Sequence, residues 1–413
     1  MFEQSFKEYL DKSPDIKTVI NWYDLYDGHY VTLKRNFQKK LFSWAIKRAG
    51  SYSELARLVG VKRKTISGCS RSLLRPKIET IKKVASFVNY AFDKIANEII
   101  AISNLKPKFP FNLHTKEGAE IRAAFLSDGH IDKNPVKCPQ YCPIEKESHT
   151  RILHLCRAVF GEFKAKTKWG HKSYVTRFPA VIGTALHLSG VPRGDKRSAN
   201  CFLPKDICAD KALCGSYLRR AFDDEGDINF NRRSIRLTRS IYIDQGKIYP
   251  DTIDERKWFP SKLPNLNNLL MGKHLLLQEL GIKSKIVSAG IYRAKNGKMS
   301  AKWQIDIIQQ DNLRKFAREV NFNLSHKQEK LNELLASYKV HERSKGEGQR
   351  HALEICTKAY KKKGYFKFGD LGKELVLLGK SYDLAGRYLK TLEQKGMIRK
   401  IKRGYYVFTT FTN

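Results

Sequence analysis

The sequence predicts an α+β protein in which a central unit of two related halves is flanked by an all-α segment and by a mixed helix–strand segment. Three observations predict it. From about residue 35 to 89 apolar residues recur at helical spacing, with breaks at Gly50, Gly60 and Pro76. The middle of the chain holds an imperfect internal repeat, whose copies open with EGAEIRAAFLSDGHID and CGSYLRRAFDDEGDINF near residues 117 and 214. The tail, from HALEICTKAY onward, reads as helix, short strand, helix, helix and two strands joined at Lys402-Arg403-Gly404. The expected boundaries are 1–110, 111–210, 211–340 and 350–413, with HERSKGEGQR as a polar linker before the last.

The 413 residues carry 78 Lys+Arg against 41 Asp+Glu, a net charge of +37. The excess is shared along the chain: residues 1–110 hold 21 basic and 10 acidic side chains, 111–340 hold 40 and 24, and 341–413 hold 17 and 7. A chain that is basic in every part repels itself unless a polyanion meets it, so nucleic acid is the expected partner. A hydrophobic content of 41% excludes a disordered basic tail. No run approaches the ~18 apolar residues of a membrane span. MFEQSFKEYLDKS is no signal peptide, so a cytoplasmic, nucleoid-associated protein that does not engage a membrane is expected. Cys138 and Cys142, in CPQYC, have loose metal-ligand spacing but no second pair, and reduced thiols are expected. No G-x-G-x-x-G, P-loop or nucleophile elbow points to a metabolic enzyme.

In SYSELARLVGVKRKTISGCSRSLLRPKIETIKKVASFV, two helices meeting at Gly60 would bury Leu55, Ala56, Val61 and Ile66, with Ser53 and Thr65 placed to cap them. The second helix starts with Lys62, Arg63, Lys64 and Thr65, polar or cationic on the face the core does not use, and Arg71 follows. This stretch, about 51–89, resembles the helix-turn-helix of phage-repressor-type regulators, which implies that these five residues contact DNA.

Each copy of the central repeat is a helix rich in small residues that ends in an acid and a glycine: Asp128-Gly129 and Glu225-Gly226. Gly129 and Gly226 can end the helices by taking positive φ. Each carboxylate then stands at a helix C-terminal end, where the helix dipole is negative, so a compensating cation is required and a divalent metal supplies it most economically. Both copies continue as helix, hairpin, helix. The first hairpin carries Lys164, Lys166 and Lys168 on alternate positions. The second carries Lys298, Ser300, Lys302 and Gln304 on one face, with Ile305 and Ile307 opposite and Asn296-Gly297 at the turn. In RSIRLTRS, Arg236 and Thr238 alternate with Ile235 and Leu237. Trp169 and Trp303 are read as hairpin packing in preference to base stacking.

In the tail, a third helix over about 382–395 places Leu384, Tyr388 and Leu392 on an apolar stripe, with Arg387 and Lys390 outside it. IRKIKRGYYVF supplies a hairpin with Lys402 and Arg403 at its tip. The element order is that of a winged helix, and its positive charge suits a phosphate backbone.

The repeat itself resembles the LAGLIDADG homing endonucleases, including intein nuclease domains and free-standing archaeal relatives. AAFLSDGHI and YLRRAFDDEGDI carry the resemblance, with SGVPRGDK closing the first half and ELGIKSKI and NFNLSHKQEKL in the second, over roughly 115–335. It implies a pseudo-twofold αββαββα saddle, sufficient as a monomer, over double-stranded DNA. It further implies that Asp128 and Glu225 hold Mg²⁺ or Mn²⁺ for site-specific phosphodiester hydrolysis, assisted by Lys302 and, in the first half, Lys172. Related chains that join this fold to helix-turn-helix units bind DNA without cutting it, and maturases of the family bind structured RNA; both are alternatives. One departure stands out. The fifth residue before the first acid is Ala123, but before the second it is Arg220, where a small residue lets the motif helices touch; Ala221 is the neighbour able to take that contact. An insertion near 243–262 interrupts the second half.

Overall fold

The computed structural model describes residues 2–170, 173–199, 201–242, 267–294, 297–338, 347–378 and 380–409. It is α+β, and its contacts divide it into two units. One comprises Met1–Glu225, Thr238–Leu280 and Ile286–Gln304; the other comprises Gly226–Leu237, Gly281–Lys285 and Ile305–Asn413.

In the first unit, the amino-terminal helices Arg35–Ala49, Tyr52–Val59, Arg63–Ser70 and Ile78–Phe87 form where the spacing placed them. Gly50 (φ 82°) and Gly60 (φ 74°) end the first two in the left-handed region, which a side chain would strain. Leu55, Ala56 and Ile66 are buried between these helices. The cap is Ser51, whose Oγ accepts from the Glu54 amide at 3.1 Å; Ser53 falls inside the helix, and Lys62 precedes the next helix without a side-chain cap. The first 110 residues are not all-α. The β-branched runs Val31–Leu33 and Ile99–Ile102 pair antiparallel, and Leu105–Pro107 continues that sheet to Gly161–Phe163 in the first repeat. No clean break falls at residue 110, because this sheet ties the two stretches together.

Both halves of the repeat adopt the same element order. In the first, the motif helix Lys116–Leu126 leads to strands Gly129–His130 and Gln140–Tyr141, helix Lys146–Phe160, the hairpin Lys166–Gly170 with Ser173–Arg177, and helix Ala180–Leu188. In the second, the motif helix Lys211–Glu225 leads to strands Gly226–Asn229 and Ser234–Tyr242, helix Asn268–Glu279, the hairpin Lys285–Arg293 with Met299–Ile307, and helix Gln310–Glu319. In both halves the four strands of the repeat form a sheet in the spatial order first, second, fourth, third. Alternation sets the faces: Ala301, Trp303, Ile305 and Ile307 are buried, as are Ile235 and Leu237. Gly297 takes φ 80° at the hairpin turn; Asn296 lies outside the described residues, as do Lys172 and residues 243–266.

The carboxy-terminal elements belong to the second unit. Helix Glu347–Lys363, strand Phe366–Lys367, helices Phe368–Leu377 and Leu384–Gln394, and strands Ile398–Lys402 and Tyr405–Phe408 surround a core of Cys356, Phe366, Leu371, Leu375, Leu389 and Ile398. The buried stripe of the third helix is Ala385, Leu389 and Leu392. The expected Leu384 and Tyr388 are only half-buried against that core, because Ala385 faces it and turns the stripe by one residue. No helix among the described residues is long and apolar enough to cross a membrane.

Candidate nucleic-acid interface and the motif-acid centre

The two motif helices pack on each other more extensively than any other pair of elements. In the first, all residues from Gly118 to Leu126 are buried. Thr115 Oγ1 accepts from the Gly118 amide (3.0 Å), and Gly118 lets the helix start against Leu113, whose carbonyl would stand 2.3 Å from an added Cβ. Ala119, Ala123 and Ala124 on one helix and Ala221 on the other are wholly buried, so small side chains are available at the crossing.

Arg220 neither snorkels to solvent nor holds the helices apart. It is 0% exposed, donates to Asp224 Oδ1 one turn on and to Ser148 Oγ at 2.7 Å, and lies 3.8 Å from Asp223 Oδ2. Tyr141 donates its hydroxyl to the same Asp224 oxygen at 2.7 Å. Burial pushes the Asp224 carboxyl up to about 6 even so, with Arg220 and Tyr141 opposing. The first motif helix has its own buried cation: Arg122 forms a two-pronged pair with Asp206 (2.7 and 2.6 Å) and donates to Leu113 O.

Neither motif helix ends by glycine φ. Gly129 and Gly226 are not among the positive-φ residues. Ser127 makes the break in the first half with ψ −93°, and Gly129 is required for room, since a Cβ there would lie 2.5 Å from Phe125 Cα. In the second half the helix runs to Glu225 itself and a strand begins at Gly226.

The cation that each helix end demands is present as protein. Lys196 Nζ donates to the carbonyls of Phe125 (3.1 Å), Ser127 and Gly129 (2.6 Å) at the end of the first motif helix. Glu225 Oε2 accepts from Lys273 Nζ at 2.5 Å, and its Oε1 lies 3.0 Å from Arg239 Nη1. Burial alone would raise the Glu225 carboxyl, but Arg239, Lys273 and Lys196 together hold it below the usual range. Burial lowers both Lys196 and Lys273 to about 8. Asp128 is pushed up to about 8 by burial first, then by Asp224 and Glu225.

These residues do not fit a divalent ion as they stand. Both Glu225 oxygens face protein cations, and the Ser127 and Gly129 carbonyls beside Asp128 accept from Lys196. No group of three or more His, Cys, Asp or Glu side chains gathers to hold a metal among the described residues. The eight cysteines are free thiols.

Residues 213–321 match the family described as the LAGLIDADG-like domain. The chain carries a LAGLIDADG-like domain. A 205-residue stretch, 49% of the chain, is 25% identical to the Pyrococcus furiosus tRNA-splicing ligase RtcB and spans only 19% of that protein. Among solved structures, full-length DUF199/WhiA from Thermatoga maritima overlays with a TM-score of 0.33 and 11% identity, over 68% of this chain and 92% of that one. I-DmoI in complex with DNA and Mn overlays with 0.31 and 11%, over 51% and 97%.

The LAGLIDADG-like domain presents its cations unevenly. Lys298 and Lys302 are exposed, whereas Ser300 and Gln304, expected on the same face, are buried. Lys302 does not line the cavity beside Glu225, where Arg239 stands; Lys273, which no sequence signal singled out, takes the contact with the acid. Arg236 pairs with Asp227 across the strands at 2.6 Å. Outside the matched residues, Lys164, Lys166 and Lys168 are exposed, and so is Trp169 at 61%, which meets Tyr174 edge-on instead of being covered by the hairpin; Trp303 is buried. Lys62, Arg63, Lys64 and Arg71 are exposed with Thr65 half-buried, and Arg387, Lys402 and Arg403 are exposed on the carboxy-terminal elements.

Proposed function

We propose that this chain binds double-stranded DNA through its basic surfaces and does not cut it. The net charge of +37, the exposed lysines of the two sheets and the LAGLIDADG-like domain support the binding. The observation that carries the absence of cutting is the Glu225 carboxylate, whose two oxygens are engaged by Lys273 and Arg239. Hydrolysis assisted by metal needs those oxygens on the ion. Exposed residues such as Lys64, Lys166, Lys298, Lys302 and Arg403 serve as phosphate contacts that position the duplex. The test is selection of duplexes from a random pool in EDTA, followed by incubation of the bound sequences with Mg²⁺ or Mn²⁺. Retention without nicking supports the reading. Double-strand cleavage abolished by Asp128→Asn or Glu225→Gln sinks it.

One observation favours an endonuclease instead. Both motif acids stand where the packed helices end, and the Asp128 carboxyl holds a proton up to about pH 8, which a divalent cation would displace. In that reading Asp128 and Glu225 hold Mg²⁺ or Mn²⁺ once Lys273 swings away, and Lys302 assists. The cleavage arm of the same experiment decides between the two.

A further inference from the structure

Between the helices Arg63–Ser70 and Ile78–Phe87 the chain makes a tight loop that displays two leucines. Leu73 is 73% exposed, the most of any large apolar side chain among the described residues, and its neighbour Leu74 is 46% exposed. A single exposed leucine is ordinary, because much of any folded surface is apolar. This pair differs in being held out. The Ser72 amide donates to Cys69 O at 3.0 Å, and the Leu73 and Leu74 amides donate to Gly68 O at 2.9 and 3.2 Å. Gln38 Nε2, from a buried side chain, donates to Cys69 O (2.8 Å) and Leu74 O (3.0 Å), and Ser72 Oγ donates to Arg35 O (3.2 Å). Ser72 itself sits at φ 55°, in the left-handed region that a side chain occupies at a cost. A loop fixed in this way has no freedom to tuck Leu73 inward.

The surroundings identify what covers the pair. Lys64, Gly68 and Arg71 fall on one stripe of the first helix, at i, i+4 and i+7, with Arg71 continuing it in helical backbone. Leu74 leans over Gly68, where an added Cβ would lie 2.4 Å from its Cδ1, so the leucine tip is continuous with the cationic stripe. From Lys62 to Lys77 there are six Lys or Arg side chains and no acid, and all six are exposed. A second copy of this chain meeting the same surface would set six cations against six, which opposes self-association through the tip. A polyanion that also offers apolar surface between its charges is duplex DNA, whose stacked base pairs lie between two rows of phosphates.

We infer that Leu73 is a wedge: it enters the minor groove of the bound duplex, parts two stacked base pairs and kinks the DNA there. Leu74 braces it on Gly68, and Arg71 and Arg75 meet the flanking phosphates. The choice of groove follows from length. The helix Arg63–Ser70, with 8 residues, is about 12 Å long, and the major groove that admits a helix is about 12 Å wide. With Lys62, Arg63 and Lys64 at the start of that helix set in the major groove, the loop at its far end reaches the groove's edge, where the next minor groove begins. Burying one leucine between bases returns free energy of the same order as unstacking one step costs. The inference rests on the DNA-binding reading above and adds to it a deformation of the duplex and the residue that makes it.

The test uses the full chain and a selected duplex in EDTA, with 2-aminopurine replacing adenine at successive positions, and the same duplex labelled at both ends for energy transfer. Wild type is expected to raise 2-aminopurine fluorescence several-fold at one step and to shorten the end-to-end distance, as a kink of about 20–90° does. Leu73→Ala, a truncation at an exposed site, should abolish both signals and weaken binding about ten-fold. It should leave the slope of log K against log[salt] unchanged, since no charge is removed. Leu73→Met should restore both signals, because size and apolarity make the wedge. Signals that persist at wild-type strength in Leu73→Ala, or that are absent from a wild-type complex that does form, overturn the wedge while leaving DNA binding intact. A wild-type dimer in sedimentation equilibrium without DNA, dissociated by Leu73→Ala, overturns it too, because the tip then belongs to a second copy. Failure of wild type to retain any duplex overturns the underlying reading, and the wedge with it.

Discussion

Lys273 Nζ donates to Glu225 Oε2 at 2.5 Å, and the lysine is 0% exposed. The pair joins the helix that follows the inserted segment to the end of the second motif helix, so the motif acid is a structural anion as well as a candidate ligand.

Removing one partner leaves the other charge uncompensated in a buried place. Lys273→Met is therefore expected to destabilise the chain by about 3–5 kcal/mol, measured by urea unfolding. The double variant Lys273→Met/Glu225→Gln should recover part of the loss. Equal losses in the single and double variants would show that the pair is not coupled.

The same pair predicts a response to divalent ions. Wild type should show no rise in melting temperature with Mg²⁺ or Mn²⁺ at millimolar concentration, because the Glu225 oxygens are engaged. Lys273→Met should gain such a rise, since ligand binding to the native state alone stabilises by mass action.

Arg220 is tied to Asp224, Asp223 and Ser148 in the interior. Arg220→Leu is expected to cost about 3–5 kcal/mol by stranding those carboxylates. Its loss should shrink below pH 6, where Asp224, held at about 6, takes up its own proton. A loss that stays constant from pH 5 to pH 8 would contradict the ion-pair account.

His29 is buried, 3.2 Å from Thr184 Oγ1, and burial lowers it from 6.5 to about 4. The neutral ring is the folded form, so the unfolded chain binds more protons between those values. Stability is then full above about pH 6.5 and falls as the pH drops toward 4, by on the order of 3 kcal/mol at most. His29→Gln should flatten that part of the stability–pH curve in chemical denaturation.

Duplex affinity should fall by about 10³-fold or more between 50 and 200 mM salt, the response of a protein that neutralises many phosphates. Fluorescence anisotropy against a labelled duplex measures it. Lys402→Ala combined with Arg403→Ala should make the slope shallower without changing which sequence is preferred.

Much of this was legible in the chain. The repeat AAFLSDGHI and YLRRAFDDEGDI gave both motif helices, because small residues and a terminal acid-glycine are local features. Alternation in MSAKWQIDI gave the buried and exposed faces of one strand, apart from Ser300 and Gln304. Helix punctuation at Gly50 and Gly60 was read correctly because left-handed backbone is written in the residue type. Gly129 was misread for the complementary reason: its need is room beside Phe125, and close approach is a property of the packed state.

Composition and local pattern determined that the chain is α+β, basic throughout and twice repeated, and that an acid stands at the end of each motif helix. They also showed that each such acid demands a cation. Only the tertiary structure decided which cation. Lys196 and Lys273 lie 68 and 48 residues from Asp128 and Glu225 and carry no motif, so nothing local marks them. Partners of a buried charge are chosen by distance and desolvation after folding, and at those helix ends the fold brings in ammonium and guanidinium groups where the sequence alone had suggested a metal.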